Sequence, residues 1–271
     1  MRQKNSSRPA IAAATHRAAH QLLEHGRIFS DPLAVAILGI DRDDIVRQAR
    51  ESPSSRPMRL FISIRTRFAE DALAAAHAQG VRQLLVLGAG LDTYAYRSAL
   101  PNGLRIFEVD HPTTQAWKRE RLAAANIRLP NALTYVAVDF EHESCGDSLV
   151  AAGLDPKART FVTWLGVVPY LTEKAIWSTL SYIATLPGGA ELVFDYSNLP
   201  DQHEQRAARV AEFGEAWLSY FDTPTLREKL HAMGFLRVED LGPGEIARQY
   251  LPGVLAPVSD AGGHIVYAAT A

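Results

Sequence analysis

The chain predicts an α/β fold: one mostly parallel sheet with helices on both faces. Seven short apolar, β-rich runs follow Val81, and the first five are separated by stretches long enough for crossover connections. The first run ends in Gly88-Ala89-Gly90, and glycines at a strand end let the backbone approach a ligand that side chains would keep away. The last two runs flank residues 242–263, a Gly- and Pro-rich excursion without a helical pattern. That joint predicts an antiparallel final pair, and a loop of this length is more often functional than idle.

Taken in order, residues 11–25, 32–38 and roughly 59–79 read as helices, with PSSRP at 53–57 a loop between the last two. The strand runs are 84–87, 105–109, 133–138, 160–165, 191–196, 235–241 and 264–269. A length of 271 residues suits one compact domain better than two. Residues 1–80 are then expected as a helical lid segment and 81–271 as the sheet domain.

Composition narrows the function. A hydrophobic content of 47% supports a substantial core, and 28 basic against 30 acidic residues give a net charge of -2. That balance carries no electrostatic footprint for nucleic acid or for an anionic membrane surface. No apolar run approaches the roughly 20 residues that span a bilayer. A single cysteine, Cys145, excludes an internal disulfide and a C-x-x-C metal site, and it suits a reducing cytosol. Arg2, Lys4, Arg8 and Arg17 precede the first acid, Glu24, so the start faintly resembles an organellar transit peptide. We read it as the first helix of a cytoplasmic protein.

Asp110 ends the second strand run, 20 residues after Gly90, about where a carboxylate accepts both ribose hydroxyls of a nucleotide-like ligand. A dinucleotide site wants a third glycine in G-x-G-x-x-G, and here that position is Thr93, preceded by Asp92. A carboxylate at the mouth of the helix repels a pyrophosphate but tolerates an ammonium and a sulfonium. S-adenosylmethionine therefore fits better than NAD. The alternatives are a glycine turn that only packs helix against strand, and a nicotinamide-dependent oxidoreductase.

LGAGLDTYAYR followed by FEVDHPTTQAWKRERL resembles the leucine carboxyl methyltransferase family, and more closely its bacterial small-molecule, polyketide-type O-methyltransferase branch. RAAHQLL, IFSDPLAVAILG, IRTRFAEDAL, WLGVVPYLT and ELVFDYS are similar to that branch in the same order. The resemblance implies a class I methyltransferase fold of seven strands, the last antiparallel. It also implies that Gly88, Ala89 and Gly90 line the methionine part of S-adenosylmethionine, that Asp110 holds the ribose, and that Asp139 and Phe140 flank the adenine. Arg65 matches an arginine that pairs with the cofactor carboxylate, and Arg17 a second basic residue from the lid. The alternatives are a helix or turn cap for Asp139, a surface salt bridge for Arg65 and a purely structural residue for Arg17. The protein-modifying eukaryotic branch has an acidic residue after the fourth strand, where this chain reads Thr163-Trp164-Leu165-Gly166. That departure argues against a phosphatase carboxyl terminus as substrate. Trp164 is either a platform for an apolar or aromatic acceptor or a core residue.

Other chemistry is poorly supported. His16 and His20 share a helix face without a third metal ligand. His142-Glu143 lacks the second histidine of H-E-x-x-H, and neither a G-x-S-x-G elbow nor a P-loop occurs. Cys145 has no neighbour to activate it. Glu108 shares a strand face with Asp110 and is expected to support the site rather than touch ribose. The function expected is methyl transfer to a carboxylate or hydroxyl oxygen of a small molecule, releasing S-adenosylhomocysteine. His111, Tyr170, Asp195, Tyr196 and His203 lie near strand ends, and none is singled out as a base. A non-enzymatic protein that binds the cofactor is the remaining alternative.

Overall fold

A computed structural model describes residues 7–97, 103–198, 217–253 and 261–270. Helices α1 (Arg8–Leu23), α2 (Ala34–Leu38), α3 (Arg42–Glu51) and α4 (Arg56–Ala78) precede the sheet. Its strands are β1 (Gln83–Leu87), β2 (Arg105–Asp110), β3 (Leu133–Ala137), β4 (Thr160–Trp164), β5 (Ala190–Ser197), β6 (Arg237–Leu241) and β7 (Gly263–Ala269). Between and beyond them lie α5 (Tyr94–Arg97), α6 (Pro112–Ala124), α7 (Cys145–Ala151), α8 (Glu173–Ala184), α9 (Thr223–Ala232) and α10 (Pro243–Tyr250). The spatial order is β3-β2-β1-β4-β5-β7-β6. β1 to β5 pair in parallel, while β7 inserts antiparallel to both β5 and β6. The expected seven-stranded architecture with an antiparallel last strand is therefore present.

Alternation along the strands divides the core. Leu85 and Leu87 join Val162, Trp164 and the α8 residues Ile176, Leu180 and Ile183 on one face. Leu84 and Val86 join Phe161 and the α4 residues Ile64, Ala69 and Leu73 on the other. A third cluster binds α1, α2 and α3 to Leu91, just beyond the glycine turn, and to Trp117 and Leu122 of α6. The helices before the sheet thus share their core with it. Among the described residues no helix is long and apolar enough to cross a membrane.

Three local expectations need correction. α3 was not anticipated, because Ile45 is its one buried side chain and no apolar stripe marks it; an Asp41 cap at 2.8 Å from the Asp43 amide starts it instead. PSSRP is not a simple loop, since residues 53–55 form a 3-10 turn and α4 begins at Arg56 with Pro57 in its first turn. The excursion between β6 and β7 contains α10, begun by Pro243 and anchored by Ile246 and Ala247. Pro243 and Gly244 sit in its first turn and Pro252 and Gly253 follow its end, so none of them interrupts it.

Asp31, 1% exposed, ties the first helices to the segment after β1. Its Oδ2 accepts from Arg17 Nε at 3.0 Å and from Thr93 Oγ1 at 2.8 Å, while Oδ1 accepts from the Leu33 amide at 3.2 Å. Removing one partner of a buried ion pair strands the other, so Asp31→Ala should cost about 3 kcal/mol in urea unfolding. A loss under about 0.5 kcal/mol, the size of an ordinary surface change, would show that Arg17 and Thr93 find other partners.

Candidate functional site

β1, β2, β3 and β4 end side by side, with Leu87 opposite Val109 and Asp110 opposite Ala137. From β1 the chain moves outward to β2 and β3 on one side and then crosses back to β4 on the other, the kind of switch point where open α/β sheets bind ligands. A cavity of about 310 Å³ lies there. All eight residues singled out from the sequence line it: Arg17, Arg65, Gly88, Ala89, Gly90, Asp110, Asp139 and Phe140.

The glycine turn is required by space as well as conformation. Gly88 (φ 63°) would place a Cβ 2.3 Å from Val167 Cγ2, and Gly90 (φ 41°) would place one 3.0 Å from the Ala10 β-carbon. Asp110 caps the turn: its Oδ2 accepts from the Gly90 amide at 2.6 Å and its Oδ1 from the His111 amide at 2.7 Å. Burial pushes its carboxyl above the usual range, opposed by those two amides and by Lys118.

Asp139 follows β3 and holds the next turn. Oδ2 lies 2.9 Å from His142 Nδ1, and Oδ1 accepts from the Glu141 amide at 3.0 Å. The histidine contact holds its carboxyl below the ordinary range. The turn-capping role and the cavity-lining position coexist. Phe140 packs its ring 6.5 Å from Trp164, centroid to centroid.

Both arginines are positioned by carboxylates of the chain. Arg17 donates from Nε to Asp31 and from Nη2 to the Leu91 carbonyl at 2.6 Å. Arg65 donates from Nη1 to Asp195 Oδ2 at 2.6 Å, and Asp195 Oδ1 accepts from the Gly166 amide at 2.6 Å. Arg65 Nε is buried without a partner. Gly166 (φ 72°) leaves the room this needs, since a Cβ there would stand 2.5 Å from Arg65 Nη2.

The other candidates separate by position. His111 and Tyr170 line the cavity, and His111 also caps α6. Asp195 is spent on Arg65 and Gly166. Tyr196 is a core residue whose hydroxyl bonds Asp240 at 2.7 Å, and burial pushes its pKa up. His203 lies outside the described residues. Trp164 is fully buried in the core and does not line the cavity, so it is no acceptor platform. Glu108, 1% exposed, sits behind the cavity against Lys118. Burial pushes the Cys145 thiol up to about 11. Among the described residues no cluster of three or more His, Cys, Asp or Glu is arranged to hold a metal. Sequence reasoning missed Glu141, which lines the cavity while accepting from the Thr172 amide and hydroxyl at 2.9 and 2.8 Å. It also missed Ala10 and Ala13, which make α1 a wall of the cavity.

The family model described as leucine carboxyl methyltransferase matches residues 10–184. The Bacillus subtilis (strain 168) protein named "Putative S-adenosyl-L-methionine-dependent methyltransferase YktD" is 33% identical over 67% of this chain and 63% of its own length. A relative from Parafrankia sp. (strain EAN1pec), designated in the same way, is 32% identical over 77% of this chain and 69% of its own. The matches thus span about two thirds of these relatives. A crystal structure from Thermobifida fusca YX, likewise designated a methyltransferase, superposes with a TM-score of 0.55 at 19% identity, covering 94% of each chain; it supports the fold. The chain belongs to the leucine carboxyl methyltransferase family.

His16 of α1 has a pKa lowered to about 4 by burial, then by the charges of Arg59 and Arg65. The folded chain excludes a proton that the imidazole of the unfolded chain binds below its ordinary value of 6.5. Stability is therefore full above that value and falls as pH drops from 6.5 to 4, by roughly 3 kcal/mol in all. Urea titrations across this range should show the slope, and His16→Gln should reduce it, leaving the part of the same sign that burial of His20 contributes. An identical slope in the variant would assign the effect to another group.

Proposed function

We propose that this leucine carboxyl methyltransferase family member binds S-adenosylmethionine across the carboxyl edge of its sheet. In that reading it transfers the methyl group to a carboxylate or hydroxyl oxygen of a small molecule. The observation that carries this reading is the meeting of the glycine turn, Asp110, Asp139 and the unpartnered Nε of Arg65 around one cavity. The donor set fits the cofactor's parts. Asp110 offers acceptors for ribose hydroxyls, Asp139 an acceptor for the adenine amino group, and Phe140 an amide for a ring nitrogen. Arg65 reaches Asp195 through Nη1, which leaves its Nε edge for the cofactor carboxylate, while Arg17 supplies a second positive charge from α1.

When bound, the cofactor supplies an activated methyl group on a sulfonium. In this reading an acceptor oxygen held beside the cavity would take that methyl group, with S-adenosylhomocysteine as the leaving product, while Asp110, Asp139 and Arg65 would hold the cofactor. The protein's share is orientation and exclusion of water. α1 walls the cavity, which supports reading the described part of residues 1–80 as a lid on a sheet domain of residues 81–271. A carboxylate acceptor is ionised at neutral pH and needs no base, whereas an alcohol or phenol needs one. Neither His111 nor Tyr170 is assigned that role. The near-neutral charge and the buried thiol of Cys145 fit a cytoplasmic enzyme with no nucleic-acid or membrane partner.

Isothermal titration should give a clear signal for S-adenosylhomocysteine and little or none for NAD. Asp110→Ala should weaken S-adenosylhomocysteine by roughly 2–4 kcal/mol, because two hydroxyls lose a charge-assisted acceptor in a partly dry cleft. Arg65→Lys should cost about 1–2 kcal/mol, and that loss should largely vanish for 5′-methylthioadenosine, which lacks the carboxylate. Tight NAD binding without a homocysteine-nucleoside signal would overturn the cofactor. Equal losses for both nucleosides would make Arg65 a brace between α4 and Asp195 alone.

A further inference from the structure

Beneath the glycine turn lies a buried polar network that neither the cavity wall nor the proposed chemistry uses. Glu108 of β2 and Lys118 of α6 are each 1% exposed, and Lys118 Nζ stands 2.8 Å from Glu108 Oε2. Tyr96 donates its hydroxyl to the same oxygen at 2.9 Å and shares a hydrogen bond with the Tyr135 hydroxyl at 2.8 Å. The ammonium is also 5.2 Å from the centre of the Tyr96 ring. A buried ion pair gives the fold little that an apolar pair of similar volume would not, because desolvation offsets its attraction.

The third contact of Lys118 gives the network a purpose. Nζ donates to the Ala89 carbonyl at 3.5 Å. That carbonyl and the Gly90 N–H belong to one planar trans peptide, so they point in opposite directions and turn together. The Gly90 N–H is the group that Asp110 Oδ2 accepts at 2.6 Å. The two ends of a single peptide are therefore held from opposite sides, by Lys118 behind the turn and by Asp110 in front of it. Glycine on one side of that peptide makes it easy to rotate, which is why a restraint matters there.

We propose that Lys118, itself held by Glu108 and Tyr96, is a positioning residue that fixes the 89–90 peptide and through it the Asp110 carboxylate. This rests on the cofactor reading above, in which Asp110 receives the ribose hydroxyls. Lys118 also counters the upward push of burial on the Asp110 carboxyl, and so favours its ionised, accepting form.

The test compares S-adenosylhomocysteine with its 2′,3′-dideoxy counterpart by isothermal titration on the full chain. Lys118→Met should weaken S-adenosylhomocysteine about tenfold, the scale of one charge-assisted contact, and change the dideoxy ligand by less than about twofold. Should that variant fail to fold, Lys118→Leu combined with Glu108→Leu removes both buried charges and is read in the same way. Equal weakening of the two ligands would make the network a general brace of the domain and overturn the proposal. An unchanged affinity for both would overturn it too. If the unaltered chain binds neither, the cofactor reading itself fails and this inference falls with it.

Discussion

The close approach at residues 88–90 constrains everything around it. β1 ends there, α1 lies against it through Ala10, and the segment after β4 presses on it through Val167. The main chain can pass between these two surfaces only without side chains at 88 and 90, and only with positive φ at both. The same bend sends the Gly90 amide toward Asp110, so the end of β2 is fixed by the end of β1. A cavity walled by bare main chain follows from the absence of two β-carbons.

Charge in the cavity is arranged rather than free. Asp92, Asp110, Asp139 and Glu141 line it, against Arg17 and Arg65. Each arginine is held by a buried aspartate behind the wall, Asp31 or Asp195. Those ion pairs are mostly desolvated, so their value lies in aiming a guanidinium more than in stabilising the fold. The surplus of carboxylates on the wall suits a ligand that carries positive charge. It disfavours one that brings several negative charges to the turn.

The inner strands β1, β2, β4, β5 and β7 were legible because they are buried along most of their length, and mostly apolar runs mark such strands whatever packs on them; the edge strands β3 and β6 are only partly covered. The glycine turn and the acid that ends β2 were legible because conformation and spacing restrict residue type. Other features depend on partners far away in sequence. Nothing local to Arg65 reveals Asp195, 130 residues on, and nothing local to Lys118 distinguishes it from an exposed helical lysine. Trp164 was ambiguous because its strand neighbours Thr163 and Leu165 do line the cavity, while the alternation of the strand turns Trp164 the other way, into the core. α3 escaped notice because one buried isoleucine makes no period.

The departure from a dinucleotide fingerprint at positions 92 and 93 has a structural cause in addition to its functional meaning. In a dinucleotide site the third glycine lets a helix pack closely on its strand, and the helix start receives the pyrophosphate. Here the described part of α5 is Tyr94–Arg97, and the Tyr94 amide already donates to Asp92 Oδ1 at 2.8 Å. The anion seat is filled by the chain's own carboxylate. Thr93 uses its hydroxyl to donate to Asp31 at 2.8 Å and to accept from Arg97 Nε at 2.9 Å, contacts that glycine could not make. Asp31 in turn holds Arg17 of α1. The residue that replaces the third glycine is thus part of the link that carries α1 over the cavity. Glycine in its place would loosen that wall without creating a phosphate site, because Asp92 would still occupy the helix start.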